Sequence, residues 1–98
     1  MILRLRGSLA IFSSLIFSER TPTPPAFIFW YHNGRMVNYD SGRGVLVDTR
    51  AGENGTRTTS RLSLPSASKE DEGNYTCSPS NSEPATVHVF IQEGEIYI

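Results

Sequence analysis

Apolar and polar residues alternate at a period of two along several short stretches of this chain, the period of strands half buried against a core. From Arg57 to Leu64, Leu62 and Leu64 face one way while Arg61 and Ser63 face the other. Ala85, Val87, Val89 and Ile91 alternate with Thr86, His88 and Phe90, a closing strand that ends at Gly94. Phe27-Ile28-Phe29-Trp30-Tyr31 is a dense aromatic and β-branched run. Asn33-Gly34 follows it where a two-residue type I′ turn reverses the chain into Arg35-Met36-Val37-Asn38-Tyr39, a hairpin.

Between these runs the punctuation is that of turns. Ser41-Gly42-Arg43-Gly44 precedes a short Val45–Asp48 strand, and Ala51-Gly52-Glu53-Asn54-Gly55 turns the chain again. Ser66–Gly73 is polar, with one helical turn expected at Ser68–Asp71, and Tyr75-Thr76-Cys77 resumes strand character. Ser78–Pro84 reads as a loop, and Thr21-Pro22-Thr23-Pro24-Pro25 as a connection, because proline donates no ladder hydrogen bond. Short strands between turns, with no helix longer than one turn, predict an antiparallel all-β sandwich or barrel within a single domain.

Asp71-Glu72-Gly73-Asn74-Tyr75-Thr76-Cys77 selects between them. It matches the D-x-G-x-Y-x-C pattern of strand F in an immunoglobulin-like antiparallel β-sandwich, with Tyr75 placed two residues before Cys77 as a tyrosine corner requires. Gly73 permits a tight turn into the strand, and Asp71 accepts hydrogen bonds or pairs with an arginine, for which Arg43 is the candidate. Trp30, on the aromatic strand upstream, takes the place of the core tryptophan of strand C. The expected structural core is therefore Trp30, Leu62, Leu64, Asp71, Gly73, Tyr75 and Cys77, and Phe27–Gly94 supplies strands C, C′, D, E, F and G.

Strand B should bring the first cysteine, yet Cys77 is the only cysteine in the chain. Counting back from Trp30 places strand B near Leu15–Phe17, where an apolar side chain would have to fill the cystine's volume. Losing such a disulfide costs about 2 to 5 kcal/mol against a total stability of about 5 to 15. The sandwich is thus expected to be incomplete at strands A and B, with residues 1–23 an atypical segment, 24–95 the domain and 96–98 a tail. Met1–Phe17 has two readings: a secretory-signal outline, too short to span a bilayer, or an apolar strand with Leu9, Ile11, Leu15 and Phe17 on one face.

Composition narrows the function. A net charge of -1 and a pI near 6.1 imply no basic field for a phosphate backbone or an anionic membrane, so nucleic acid is not an expected partner. A lone cysteine suggests a reducing compartment, which the strand F motif argues against. For catalysis the only nucleophile-base set is Cys77 with His32 or His88, and a thiol in a sheet core is inert. No enzyme, small-molecule substrate, cofactor or metal site is expected. Asn54-Gly55-Thr56 and Asn74-Tyr75-Thr76 are N-glycosylation sequons, so Asn54 and Asn74 are candidate acceptors.

The stretches Phe27–Asp40, Arg43-Gly44-Val45, Gly73–Asn81, Val87-His88-Val89 and Gly94-Glu95 resemble the second immunoglobulin domain of the insect defective-proboscis-extension-response (Dpr) family, from about residue 24 to residue 95. The resemblance implies a neuronal surface protein with two immunoglobulin domains, a secretory signal and a membrane anchor, recognising other immunoglobulin-superfamily proteins mainly through a first domain not present here. Residues 1–20 depart from that family, which points to a truncated isoform or a gene model that begins inside the second domain. Two functions follow: a cell-surface recognition module, or a structural spacer or non-functional fragment. In the first, the partner face would be the C, C′, F and G side, with Tyr31, Arg35, Asn38, Ser80, Asn81 and Glu83 as its candidate residues.

Overall fold

The strand that the missing cysteine put in doubt is formed. The computed structural model describes residues 2–11, 13–38, 45–52 and 57–98. In it β2, Ser13–Arg20, lies between β1, Ile2–Arg6, and β6, Arg57–Leu64, pairing antiparallel with both. Its register sets Leu15 opposite Leu62 and Phe17 opposite Ser60, so the odd-numbered positions face inward, and Leu15 and Phe17 are fully buried. Ser13, Ser14 and Ser18 do not interrupt the strand.

Strand β5, Leu46–Ala51, completes the first sheet in the order β1-β2-β6-β5. The second sheet has the order β4-β3-β7-β8-β9. Its strands are β3 (Ile28–His32), β4 (Arg35–Met36), β7 (Gly73–Pro79), β8 (Ala85–Gln92) and β9 (Glu95–Tyr97). The all-β sandwich of two antiparallel sheets is as read from the sequence, whereas the incompleteness expected at strands A and B is not found. Residues 1–23 do not stand apart from 24–95 in the packing, since β1 and β2 form half of the first sheet.

The 96–98 tail is corrected in the same way. Glu93 and Gly94, both at positive φ (52° and 79°), make a tight turn that folds β9 back on β8. Ile96 then faces Ile91 and is buried. The far edge of β9 is held by the link between β1 and β2: Ala10 N–H donates to Gly94 O at 2.9 Å, and Ile96 N–H donates to Ser8 O at 3.0 Å. A sheet edge is thereby covered rather than left as a template for other chains. The Asn33-Gly34 reversal forms as expected, both residues having positive φ.

Trp30 and Cys77 sit opposite each other on β3 and β7 and are completely buried. The indole N–H of Trp30 donates to Ser60 Oγ on β6 at 2.8 Å, and Ser60 Oγ lies 2.8 Å from Thr49 Oγ1 on β5. A hydrogen bond therefore joins the two sheets in a core that has no inter-sheet disulfide. Leu62, Leu64, Tyr75, Val89 and Ile28 close around it.

Ser60→Ala strands a buried indole donor and is expected to cost about 1 to 3 kcal/mol. Phe17→Ala, which empties an inward site on β2, is expected to cost about 3 to 5 kcal/mol. Urea unfolding checks both, and a change within about 0.5 kcal/mol for Phe17→Ala, the range of ordinary surface substitutions, would show that β2 does not carry the core.

Candidate interaction surface

The strand F motif assembles as its residue types require. A 3-10 turn at Lys69–Asp71 is capped by Ser68, whose N–H donates to the Asp71 carboxylate at 2.8 Å. Tyr75 buries its ring and donates its hydroxyl to Asp71 O at 2.7 Å, which is the tyrosine corner. The arginine proposed for Asp71, Arg43, lies outside the described residues. Glu72 ties the same turn to β8, accepting from Ile91 N–H at 2.8 Å and from Lys69 Nζ at 3.1 Å. The Ile91 amide, then Lys69, hold this carboxyl below its ordinary value, so its contribution is in place at neutral pH and is lost as pH falls through that lowered range.

Gly73 is required for a reason the motif alone does not give. Its φ is +131°, and a β-carbon there would fall 2.4 Å from Asn33 Oδ1. The open space lets Asn33 reach Asn74 N–H, from which its Oδ1 accepts at 2.9 Å, and so the β3–β4 turn is bound to β7.

Cys77 and the two histidines are not brought together as a catalytic set. Burial, then the nearby charge of Glu19, pushes the Cys77 thiol up to about 12. His32 stacks on the Tyr75 ring at 4.4 Å, and its Nε2 lies 2.6 Å from Glu72 O. His88 projects from the opposite side of the sheet, with Nδ1 2.8 Å from Asn74 Oδ1. Among the described residues no group of His, Cys, Asp and Glu could hold a metal ion.

The candidate partner residues divide on inspection. Tyr31 shares the outer row of the second sheet with Met36, while Arg35 is exposed at the hairpin end opposite His32. Asn38 turns inward: its Oδ1 accepts from Trp30 N–H at 2.6 Å and its Nδ2 donates to Ile28 O at 3.0 Å. Ser80 Oγ accepts from Ala26 N–H at 2.9 Å, and Asn81 Nδ2 donates to Thr23 O at 2.9 Å, so both anchor the proline-rich connection. Glu83 is exposed. Asn74 is exposed on the outer side of β7, and Asn54 lies outside the described residues.

The same outer face carries aromatic residues that were not among the candidate partner residues. Phe90 stacks on Tyr97 at 5.6 Å and packs on His88 at 4.5 Å, with Phe90 42% and Tyr97 45% exposed. At the other end Phe27 lies over Phe29 at 4.5 Å. Tyr97 was missed because its strand was read as a tail; the Glu93-Gly94 turn was the available signal.

The immunoglobulin domain family model matches residues 14–81. The chain belongs to the immunoglobulin domain family. In the lettering of that domain, β1, β2, β6 and β5 are strands A, B, E and D, and β4, β3, β7 and β8 are C′, C, F and G. Mouse IgLON family member 5 is 33% identical over 69 residues, 70% of this chain and 19% of that protein. The human IgLON family member 5 is 32% identical over the same length, with the same shares. Immunoglobulin domain-containing protein oig-1 of Caenorhabditis elegans is 31% identical over 78 residues, 80% of this chain and 54% of that protein. The chain thus spans about a fifth of the IgLON proteins and about half of the nematode protein. These likenesses hold at the level of the immunoglobulin domain and carry nothing specific to the Dpr family.

A thiol held protonated in a closed core should resist alkylation. Cys77 of the native domain is expected to react with iodoacetamide at pH 8 far more slowly than in urea, as followed by mass spectrometry. Because its folded pKa is raised from 9.0 to about 12, the domain binds this proton more tightly than the unfolded chain does, and stability should decline as pH rises across that window. Equal alkylation rates in buffer and in urea would place the thiol at the surface.

Proposed function

We propose that this domain is an extracellular recognition module that binds other immunoglobulin-superfamily surface proteins through the outer face of its C′-C-F-G sheet, in neuronal cell recognition of the Dpr kind. The observation that carries this reading is the exposed aromatic cluster of Phe90, Tyr97 and His88 on the same outer face as Tyr31 and Met36. Large, rigid aromatic side chains on a flat sheet supply contact area at low entropic cost, and such residues are enriched in the energetic centres of interfaces. The membership in the immunoglobulin family and the likeness to IgLON and oig-1 domains support the class of partner. Among the described residues no helix is long and apolar enough to cross a membrane.

Within that face Tyr31 and Arg35 stay as contact residues and Glu83 as a rim charge. Asn38, Ser80 and Asn81 shape the face from behind. Asn74 sits in its middle, next to His88, and a glycan there would cover the aromatic cluster; the reading therefore requires Asn74 to be unmodified in the binding form.

Display of the domain on cells, probed with soluble immunoglobulin-superfamily ectodomains, tests the proposal. Binding is expected, with Phe90→Ala and Tyr31→Ala each weakening it by about tenfold or more, the loss typical of interface anchors. A folded domain that binds none of these ectodomains, or binds them equally well with both substitutions, would leave only the spacer role.

A further inference from the structure

The net charge of -1 conceals a segregation of charge. Six of the nine Lys and Arg residues, namely Arg4, Arg6, Arg20, Arg50, Arg57 and Arg61, lie on the outer face of the A-B-E-D sheet by strand register. Asp48 is the one acidic residue among the described positions of that face, and it is paired with Arg50 at 2.9 Å. The absence of a basic field expected from composition holds for the molecule as a whole and fails for this sheet.

The register makes the arginines an array rather than a scatter. Arg4, Ile16 and Arg61 stand side by side on A, B and E, which sets the two arginines about 10 Å apart across two strand spacings. Ile16 points outward yet is only 8% exposed, as expected where long arginine stems lie over it. Two shallow depressions of about 260 and 270 Å³ run side by side here and share Thr59 and Arg61. Ser18 and Thr59 supply hydroxyls between the cations. Arg20 and Arg57 are directly opposite partners, an arrangement that costs a sheet stability and that the fold itself does not need.

We propose that the outer face of the A-B-E-D sheet binds a sulfated linear polysaccharide, its sulfate groups seated between the arginines. Arginine forks match the planar array of oxygens on a sulfate, and flanking hydroxyls complete its hydrogen bonds. A flat face with no projecting element does not enter a nucleic-acid groove. Among its described residues there is no outward aromatic side chain on which bases would stack. Arg4, Arg6 and Arg20 come from β1 and β2, and Arg50, Arg57 and Arg61 from β5 and β6, so all four strands of the sheet contribute. The face is opposite the one proposed for protein partners, and the two bind independently.

The probe is heparin, immobilised and free, with the full chain. Wild type is expected to be retained at physiological salt and R4S/R61S to elute at clearly lower salt, with a slope of log affinity against log salt smaller by roughly 1 to 2. R35S, on the other sheet, should elute as wild type, and far-ultraviolet circular dichroism reads the fold of each variant. If R4S/R61S does not fold, R57Q/R61Q reads the same loss. Failure of the wild type to be retained, an equal shift for R35S, or equal binding of desulfated heparin would overturn the proposal. Tighter binding of single-stranded DNA or of phosphatidylserine vesicles than of heparin would overturn it as well.

Discussion

The hydrogen bond from the Trp30 indole to Ser60 spans the gap between two sheets that no disulfide joins, and the rest of the domain is arranged so that this bond stays dry. In the interior a donor and acceptor left apart would each lose their water without compensation, so the pair fixes the relative position of strands C and E as well as adding stability. Thr49 extends the link to strand D. Leu15 and Phe17 supply inward bulk on strand B, the strand from which a cystine sulfur would otherwise come. Among the described residues the domain thus relies on packing and a buried polar link between the sheets, a solution that tolerates reducing and oxidising surroundings alike.

Several features of the sequence carried the fold. The spacing of Gly73, Tyr75 and Cys77, the Asn33-Gly34 turn and the alternation through Leu62 and Leu64 each have a local physical cause, and each appears where that cause puts it. Strand B was harder to read because a lone cysteine removes its usual marker and three serines mask an apolar face. Strand β9 was missed since Glu93 is an uncommon residue for a positive φ, and a three-residue strand has almost no periodicity to detect. The partner face was half legible. Tyr31 points out as the alternation predicts, whereas Asn38 lies past β4, which ends at Met36, and turns to the backbone of β3.

The segregation of arginines was present in the chain and invisible in its sum. Arg4 and Arg20 come from the first two strands and Arg57 and Arg61 from a strand distant in sequence, and only their antiparallel registers bring them to one surface. The two outer faces consequently differ in kind: one presents stacked rings around His88 and Phe90, the other a cationic lattice over Ile16. A sandwich of this size can use both at once, since its core separates the sheets by about 10 Å and neither surface shares residues with the other.

Trp30 is the only tryptophan, so its fluorescence reports the centre of the sandwich without labelling. The direct measurement is its emission through a urea titration, with and without a thiol reductant. A domain held by the Trp30–Ser60 link and by packing from strand B will show the blue-shifted emission of a buried indole and one cooperative transition whose midpoint is indifferent to reductant. Red-shifted emission in native buffer, or a transition in two steps as strands A and B detach first, would contradict this account.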